Sequence, residues 1–195
     1  MASGIHYYER RAGEYDATSW SRVDPDGRVA DVVRSVLDSL APMDTLDVGC
    51  GTGYVSGWLP GRITLLDSSP AMLAIASRRV DGAAAVRAAA PSLPFQDGAV
   101  GRAFTSNFYG HLAWTDRQQL ISEMLRVSRE ILVLDQLATS GIFAEGPESR
   151  QLRDGTTFTI HKCYFTVERL LEEIGGEAVM AGPLFAMVRR TRDGG

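Results

Sequence analysis

The chain has 195 residues, of which 45% are hydrophobic and 23% charged, with a formal net charge of −4 and a pI near 5.4. That is chain enough for one domain with a full core, and the acidic balance argues against a protein held on nucleic acid by its overall charge. No apolar run approaches the roughly 18 residues that would cross a membrane, and the stretch around Glu9, Arg10, Arg11 and Glu14 lacks the apolar core of a signal peptide.

Residues 1–27 form a polar and aromatic lead-in ending in the turn Asp24–Pro25–Asp26–Gly27. From Arg28 to Leu40, Val29, Val32, Val33, Val36, Leu37 and Leu40 recur at helical spacing and predict an amphipathic helix. The apolar run Thr45–Val48 then stops at Gly49, Gly51 and Gly53, before a helix-like Tyr54–Leu59. A second run, Ile63–Leu66, closes on Asp67, after which Ser68 or Ser69 can cap a helix with Pro70 in its first turn. Met72, Leu73, Ile75 and Ala76 line the inner face of that helix.

Val86 marks a weak third strand, and the turn Gln96–Asp97–Gly98 leads into a fourth, Val100–Thr105. Asp116 is expected to cap a helix carrying Leu120, Ile121, Met124, Leu125 and Val127, and Ile131–Leu134 is the continuous apolar run of a buried parallel strand. Residues 136–165, with Gly141, Gly146, Pro147 and Asp154–Gly155, read as a less regular insertion, longer than an ordinary connection. Glu177–Met180 and Phe185–Val188, joined through Gly182–Pro183, read as an antiparallel hairpin. The alternation of strand and helix predicts a doubly wound α/β sheet, with ligands outside the carboxyl ends of its strands.

The glycine corner carries the chemistry. Glycine tolerates positive φ and lets a ligand approach the backbone. Asp47 stands two residues before the first glycine, and Asp67 falls 18 positions after Gly49, where the neighbouring strand would deliver a carboxylate to a ribose. A dinucleotide fingerprint would place its third glycine at position 54, which is Tyr54, and no Gly-Lys-Ser/Thr follows for a phosphate loop. A tight structural turn is the remaining plain alternative.

Asp47, Gly49, Gly51 and Gly53, followed by Asp67, match the first two motifs of the class I S-adenosylmethionine-dependent methyltransferases, which residues 5–135 resemble well and the final hairpin loosely. The resemblance implies a Rossmann-like, mostly parallel seven-stranded sheet with a C-terminal antiparallel hairpin, forming one domain over 1–195. It implies S-adenosyl-L-methionine as cofactor and S-adenosyl-L-homocysteine as product. The peptide groups of Gly49–Gly53, with Cys50 among them as a packed small side chain, would meet the tail carboxylate. Asp47 would take the amino end and Asp67 the ribose hydroxyls. Leu93–Pro94–Phe95 and Asp97–Gly98 match the adenine motif, but Ala89 and Ala90 stand where relatives often carry Asp-Ala. That leaves the backbone N–H of Ala90, with Ser68 or Met72 as a wall. Asn107, within Ser106–Leu112, falls beneath the transferred methyl. Glu123–Val127 matches the family's Glu-Met-x-Arg-Val helix, with Ser128–Arg129–Glu130 in place of the usual Pro-Gly-Gly turn. Tyr8, Ala12, Tyr15 and Asp16 resemble a lead-in helix folded over the cofactor, with Tyr15 closing on the methionine tail.

No stretch offers a macromolecule-recognition domain, an Asn-Pro-Pro-Tyr motif or a basic tail, so the expected acceptor is a small molecule and neither nucleic acid nor membrane is an expected partner. Methylation of a macromolecule, or a non-catalytic cofactor-binding module, are the rival readings. Residues 1–27 would act as a lid-like segment and 136–165 as a substrate-covering insertion, offering Phe143, Phe158, Tyr164 and Phe165 for apolar contact and Arg150, Arg153, His161 and Lys162 for polar contact. For an oxygen acceptor, His111 and His161 are the candidate general bases and Tyr109 a positioner. His6, His111 and His161 are isolated, so no metal site is expected. Cys50 and Cys163 form no metal-type or disulfide pattern, which points to a reducing cytoplasm. The sequence leaves the oligomeric state open.

Overall fold

A computed structural model of the chain describes residues 2–19, 24 and 26–192. Part of the expected lead-in, residues 20–23 and Pro25, lies outside the described residues. The chain opens with α1 (Ala2–Arg11), a 3-10 turn (Ala12–Glu14) and the short α2 (Tyr15–Thr18). Then come α3 (Arg28–Asp38), β1 (Thr45–Val48), β2 (Ile63–Asp67), α4 (Pro70–Arg79), β3 (Ala84–Arg87) and β4 (Val100–Ser106). They are followed by α5 (Trp114–Val127), β5 (Ser128–Gln136), β6 (Ala144–Gln151), β7 (Thr157–Tyr164), α6 (Val167–Ile174), β8 (Glu177–Ala181) and β9 (Phe185–Thr191).

Seven strands form one sheet in the order β3-β2-β1-β4-β5-β9-β8. The first five are parallel, and β9 runs antiparallel to both β5 and β8, so the predicted doubly wound sheet with its C-terminal hairpin is the observed fold. The strand order reverses between β1 and β4, and at such a reversal a doubly wound sheet opens a crevice at its carboxyl edge.

Period-two alternation divides the core between the two faces of the sheet. Ile131 and Val133 of β5 point to one side, where Leu120, Met124 and Val127 of α5 and Leu170 and Ile174 of α6 cover them. Leu132 and Leu134 point to the other, joining Val33 and Leu37 of α3 and Leu73 and Ala76 of α4. Because both faces are covered, β5 had to read as a continuous apolar run.

Three local expectations differ from the structure. Tyr54–Leu59 forms turns and one short 3-10 helix, Ser56–Trp58, since Gly57 weakens a helix and Pro60 ends it before a second turn. Asp116 is not the cap of α5; the helix begins at Trp114, with Ala113 before it, and Asp116 lies in the first turn, where its charge suits the helix dipole. Residues 136–165 are more regular than expected. β6 and β7 pair antiparallel without interruption from Ala144↔Tyr164 to Gln151↔Thr157. Gly146 and Pro147 read as breakers, yet in a two-stranded ribbon each strand has an open edge where a proline is tolerated. Of the two candidate caps for α4, Ser69 is the one used: its hydroxyl accepts from Met72 N at 3.1 Å.

The hairpin is fastened to the helical layer by a buried ion network. The Arg117 side chain of α5 is fully buried. It donates to Glu173 of α6 through Nε at 2.9 Å, to Glu145 of β6 through Nη1 at 2.9 Å, and to the carbonyl of Leu112 at 2.9 Å. Tyr109 and Arg169 also donate to Glu173, at 2.9 and 2.8 Å. Hydrogen bonding to Arg117 holds the Glu145 carboxyl below its ordinary range. A buried pair broken on one side leaves an uncompensated charge, which costs about 3–5 kcal/mol. Arg117→Met is therefore expected to lower the unfolding free energy, read from urea titration, by an amount in that range, whereas Arg62→Ala, at an exposed pair with Asp44, should shift it little. Equal shifts for the two variants would show that the network does not hold the hairpin.

Candidate functional site

Asp47 is the penultimate residue of β1 and is 2% exposed. Its Oδ2 accepts from the Ser56 hydroxyl at 2.5 Å, while Oδ1 is buried with no hydrogen-bond partner among the described groups. Burial is the main cause that raises its carboxyl to about 7; the Ser56 bond opposes this, and the nearby Asp67 charge adds to it. A buried carboxylate oxygen without a donor is costly, and here it faces a cleft rather than packed hydrocarbon.

Asp67 ends β2 in a different condition. Its Oδ2 accepts from Gly51 N and its Oδ1 from Ser69 N, both at 2.9 Å. Burial raises its carboxyl, and these backbone bonds offset part of the rise. Each oxygen keeps a further lone pair for an incoming hydroxyl. The glycine loop is thus tied to the second strand through a side chain. Within it, the glycines serve separate ends. A Cβ on Gly49 would lie 2.4 Å from the Phe108 ring, and one on Gly53 would press on Ala76 of α4 at 3.1 Å. A Cβ on Gly51 would meet no protein atom within 4 Å, and Gly51 has φ +54°. Phe108 and α4 thus fill the space beside two of these glycines, and the space beside the third is open.

A cleft of about 680 Å³ lies over this corner, bounded by Tyr8 and Tyr15 from the N-terminal segment, by Asp47, Cys50 and Gly51, and by Asn107 and His111. Ser68 and Met72 also line it. A small side pocket continues between Asp67, Ser68, Ala88, Ala90 and Phe108. The loop that forms this wall is clamped by the helix motif. Glu123 accepts from Leu93 N at 2.9 Å, and Arg126 donates to the carbonyls of Leu93 and Phe95 at 3.0 and 2.8 Å. Bonding to Arg126 lowers Glu123 to about 2. Burial raises the Cys50 thiol far above its ordinary value, so it is a protonated wall and not a nucleophile.

A second cavity, of about 980 Å³, adjoins the first, and Tyr15, Asn107 and His111 line both. Asn107 sits at φ 53°, a left-handed conformation that asparagine tolerates better than most residues. Nδ1 of His111 lies 3.0 Å from the carbonyl of His161; a carbonyl accepts, so Nδ1 carries the proton and Nε2 is the ring's acceptor. Burial, followed by the charge of Lys162, pushes this imidazole well below its ordinary 6.5, so it is neutral at physiological pH.

Of the residues predicted from sequence, Tyr15, Asp47, Gly49, Cys50, Gly51, Asp67, Ser68, Met72, Asn107 and His111 line the first cleft, and Ala90 its side pocket. Gly53 supports the loop from behind. Tyr109 and His161 do not join them. Tyr109 is fully buried and gives its hydroxyl to Glu173, so it belongs to the Arg117 network. His161 is excluded by strand parity. Glu148, Arg150, Ile160, Lys162 and Tyr164 face the second cavity, all at even positions in the hairpin. The odd position 161 faces the opposite side, where Nε2 lies 3.0 Å from Glu145.

Sequence reasoning missed Ser56, Arg11 and Asp135. Arg11 is one helical turn before Tyr15, so the spacing that singled out Tyr15 also marked Arg11. No sequence signal distinguishes the other two.

No helix among the described residues is long and apolar enough to cross a membrane, and no group of three or more His, Cys, Asp or Glu among them could hold a metal ion.

The family described as "Methyltransferase domain" matches residues 46–131, the span from β1 into β5. The malonyl-[acyl-carrier protein] O-methyltransferase of Acetivibrio thermocellus is 36% identical over 78 residues, covering 37% of this chain and 27% of that protein. The protein of the same name from Serratia marcescens is 28% identical over 151 residues, covering 74% of this chain and 56% of that one. The chain thus spans little more than half of one of these curated relatives and about a quarter of the other. The solved DhpI–SAH complex superposes with a TM-score of 0.77 at 23% identity, covering 98% of this chain and 97% of that one, a likeness of fold. The matched segment, residues 46–131, carries the glycine corner and is similar to the methyltransferase domain family, and the whole chain shares the fold of that solved complex.

Proposed function

We propose that the protein transfers a methyl group from S-adenosylmethionine to a small-molecule acceptor. The observation that carries this reading is the open Oδ1 of Asp47, a buried carboxylate oxygen without a donor, at the foot of a cleft that also holds Asp67. An ammonium placed there would satisfy it. S-adenosylmethionine, when bound, supplies a methyl on a positively charged sulfur and leaves as S-adenosylhomocysteine.

The chain's own residues then have distinct tasks. Asp47 holds the ammonium of the tail, and Asp67 accepts from the ribose hydroxyls while its backbone partners keep it in place. Peptide groups beside Gly51 approach the tail carboxylate without side-chain obstruction. Ser68, Met72, Ala90 and Phe108 form the adenine wall. Asn107 and His111, on the boundary of both cavities, frame the place where methyl and acceptor meet. The neutral His111 offers Nε2 as a hydrogen-bond acceptor toward a hydroxyl, and orientation supplies much of the rate. The hairpin β6–β7 and the N-terminal segment cover the second cavity, which is the acceptor site in this reading, with the whole chain acting as one domain. The curated relatives' name, malonyl-[acyl-carrier protein] O-methyltransferase, favours an oxygen acceptor. Two cysteines without a disulfide suit a cytoplasmic location.

Calorimetry tests the cofactor directly. S-adenosylhomocysteine should bind saturably and NAD should not, and the reverse result would overturn the reading. Asp67→Ala should weaken binding by about 1.5–3 kcal/mol, the range for hydrogen bonds to a charged group. Gly51→Val should abolish binding in a folded protein, because the branched side chain occupies the open space and φ +54° disfavours it. Normal affinity in that variant would make the loop a structural turn only.

The raised carboxyl of Asp47 sets a pH dependence. Its ionised form is the one that holds an ammonium, and about 7 is where it ionises before ligand arrives. Ammonium binding favours ionisation, so proton release should accompany binding near neutrality and affinity should fall as pH drops below about 7. Titration in buffers of different ionisation enthalpy measures the released proton. Its absence, with pH-independent affinity, would place the ammonium away from Asp47.

A further inference from the structure

Among the described residues, the second cavity carries one more positive charge than its neighbours neutralise. Of these, Arg11, Arg150 and Lys162 line it, against the one described lining carboxylate, Glu148. Lys162 is 4% exposed and its Nζ lies 3.2 Å from the buried Asp135. Arg150 pairs with Glu148 at 3.0 Å. Arg11 forms no ion pair among the described residues. Its Nε and Nη2 donate to neutral oxygens of Thr18, at 3.3 and 3.0 Å to the hydroxyl and at 3.1 Å to the carbonyl. The guanidinium carbon stacks 4.7 Å from the Tyr15 ring centroid and 5.4 Å from that of Tyr7. Two aromatic faces therefore fix the plane of a cation whose five donors are not all used.

The surroundings register this excess. His111, where the two cavities meet, is held neutral by burial, with Lys162, Arg150 and Arg11 each disfavouring its charged form. A half-buried guanidinium without a carboxylate partner of its own is one that an anion relieves, and its planar fork suits a carboxylate or phosphate group. Tyr164 and Phe185 give the remaining walls an apolar component that accommodates a small body attached to the anion.

We propose that this cavity selects an acceptor bearing one oxyanion, a carboxylate or a phosphate-type group, bound by Arg11 with Arg150 beside it. That this ligand is the acceptor rests on the methyl-transfer reading above; the anion site itself does not.

The test uses the full chain, with inorganic phosphate and butyrate as probes, choline as a cationic control, and each titration run with and without saturating S-adenosylhomocysteine. At least one oxyanion should bind with one-to-one stoichiometry in both conditions, and choline should not. Whether phosphate or butyrate binds more tightly identifies the oxyanion type. Arg11→Gln should weaken the anion at least about tenfold, as expected for a lost charged hydrogen bond. Arg150→Gln provides a second variant should the first fail to fold, and Arg153→Gln, at the exposed tip of the hairpin, should leave the affinity unchanged. If S-adenosylhomocysteine binds but neither oxyanion does, the proposal falls and the methyl-transfer reading stands. Mutual exclusion of anion and S-adenosylhomocysteine would assign Arg11 to the cofactor's own carboxylate and also overturn the proposal. Anion binding that depends on Arg11, in a protein that ignores S-adenosylhomocysteine, would uphold the anion site and remove the methyl-transfer reading instead.

Discussion

The second cavity depends on one buried carboxylate, Asp135, at the carboxyl end of β5. Its Oδ2 accepts from Gly110 N at 2.8 Å, and its Oδ1 from Gln136 N at 2.7 Å and Lys162 Nζ at 3.2 Å. These bonds join three elements: the sheet, the turn Tyr109–His111 and the hairpin strand β7. The junction leaves no spare volume, since a Cβ on Gly110 would lie 2.7 Å from the Cys163 carbonyl and 3.0 Å from Asp135 Oδ1. The same packing brings the His161 carbonyl to the His111 ring and so fixes its tautomer. Where His111 points is thus decided by a carboxylate that contacts neither the ring nor either cavity.

Three aspartates lie at the carboxyl ends of parallel strands, and their surroundings assign them different work. Asp135 is fully satisfied within the protein and acts as a fastening. Asp67 is satisfied by two peptide groups, yet stays at the cleft wall with lone pairs to spare. Asp47 has one oxygen held by Ser56 and the other open. Residue type and strand position are alike; the number of donors supplied by the fold differs. Fewer internal donors mean more of the desolvation cost is left for a ligand to relieve, and the order Asp135, Asp67, Asp47 is one of increasing readiness for a cationic or hydroxyl partner.

The sheet and the glycine corner were legible in the sequence because their signals are local. A continuous apolar run, an interval of 18 residues between Gly49 and Asp67, and glycines at alternate positions are all short-range patterns that backbone geometry enforces. The two side-chain failures have one physical source. Tyr109 and His161 were chosen for their chemistry, but their partners, Glu173 and Glu145, lie 64 and 16 residues away. A side chain's destination is set by such partners. The hairpin was hidden because Gly146 and Pro147 suppress strand propensity without preventing pairing in a ribbon with open edges. Its facing was recoverable once the pairing was known, since parity then separates Arg150 and Lys162 from His161. Arg11 shows the converse: its spacing from Tyr15 was visible, but its lack of a carboxylate partner is a fact of the folded state.

The N-terminal segment connects the two cavities, and the forces that hold it are unequal. Toward the glycine corner, Asp16 accepts from Thr52 and pairs with Arg79, both at 2.6 Å, while Glu9 meets the Ser69 hydroxyl and Ala71 N at the start of α4. Toward the hairpin, Arg10 pairs with Asp154 at 2.6 Å and Glu14 accepts from Arg153 N. Arg10 and Asp154 are each about half exposed, and pairs of that kind contribute about 0–1 kcal/mol. Beneath them Tyr7 is 2% exposed against Leu152 and Ile160 of the hairpin. Burying a side chain of that size contributes about 1.5–3 kcal/mol, more than such a surface pair. The apolar seam therefore sets where α1 lies, and the polar contacts set its register along the seam. That register carries Tyr8 into the first cleft, Arg11 into the neighbouring cavity and Tyr15 into both, so a single helical segment walls the two cavities through side chains one turn apart.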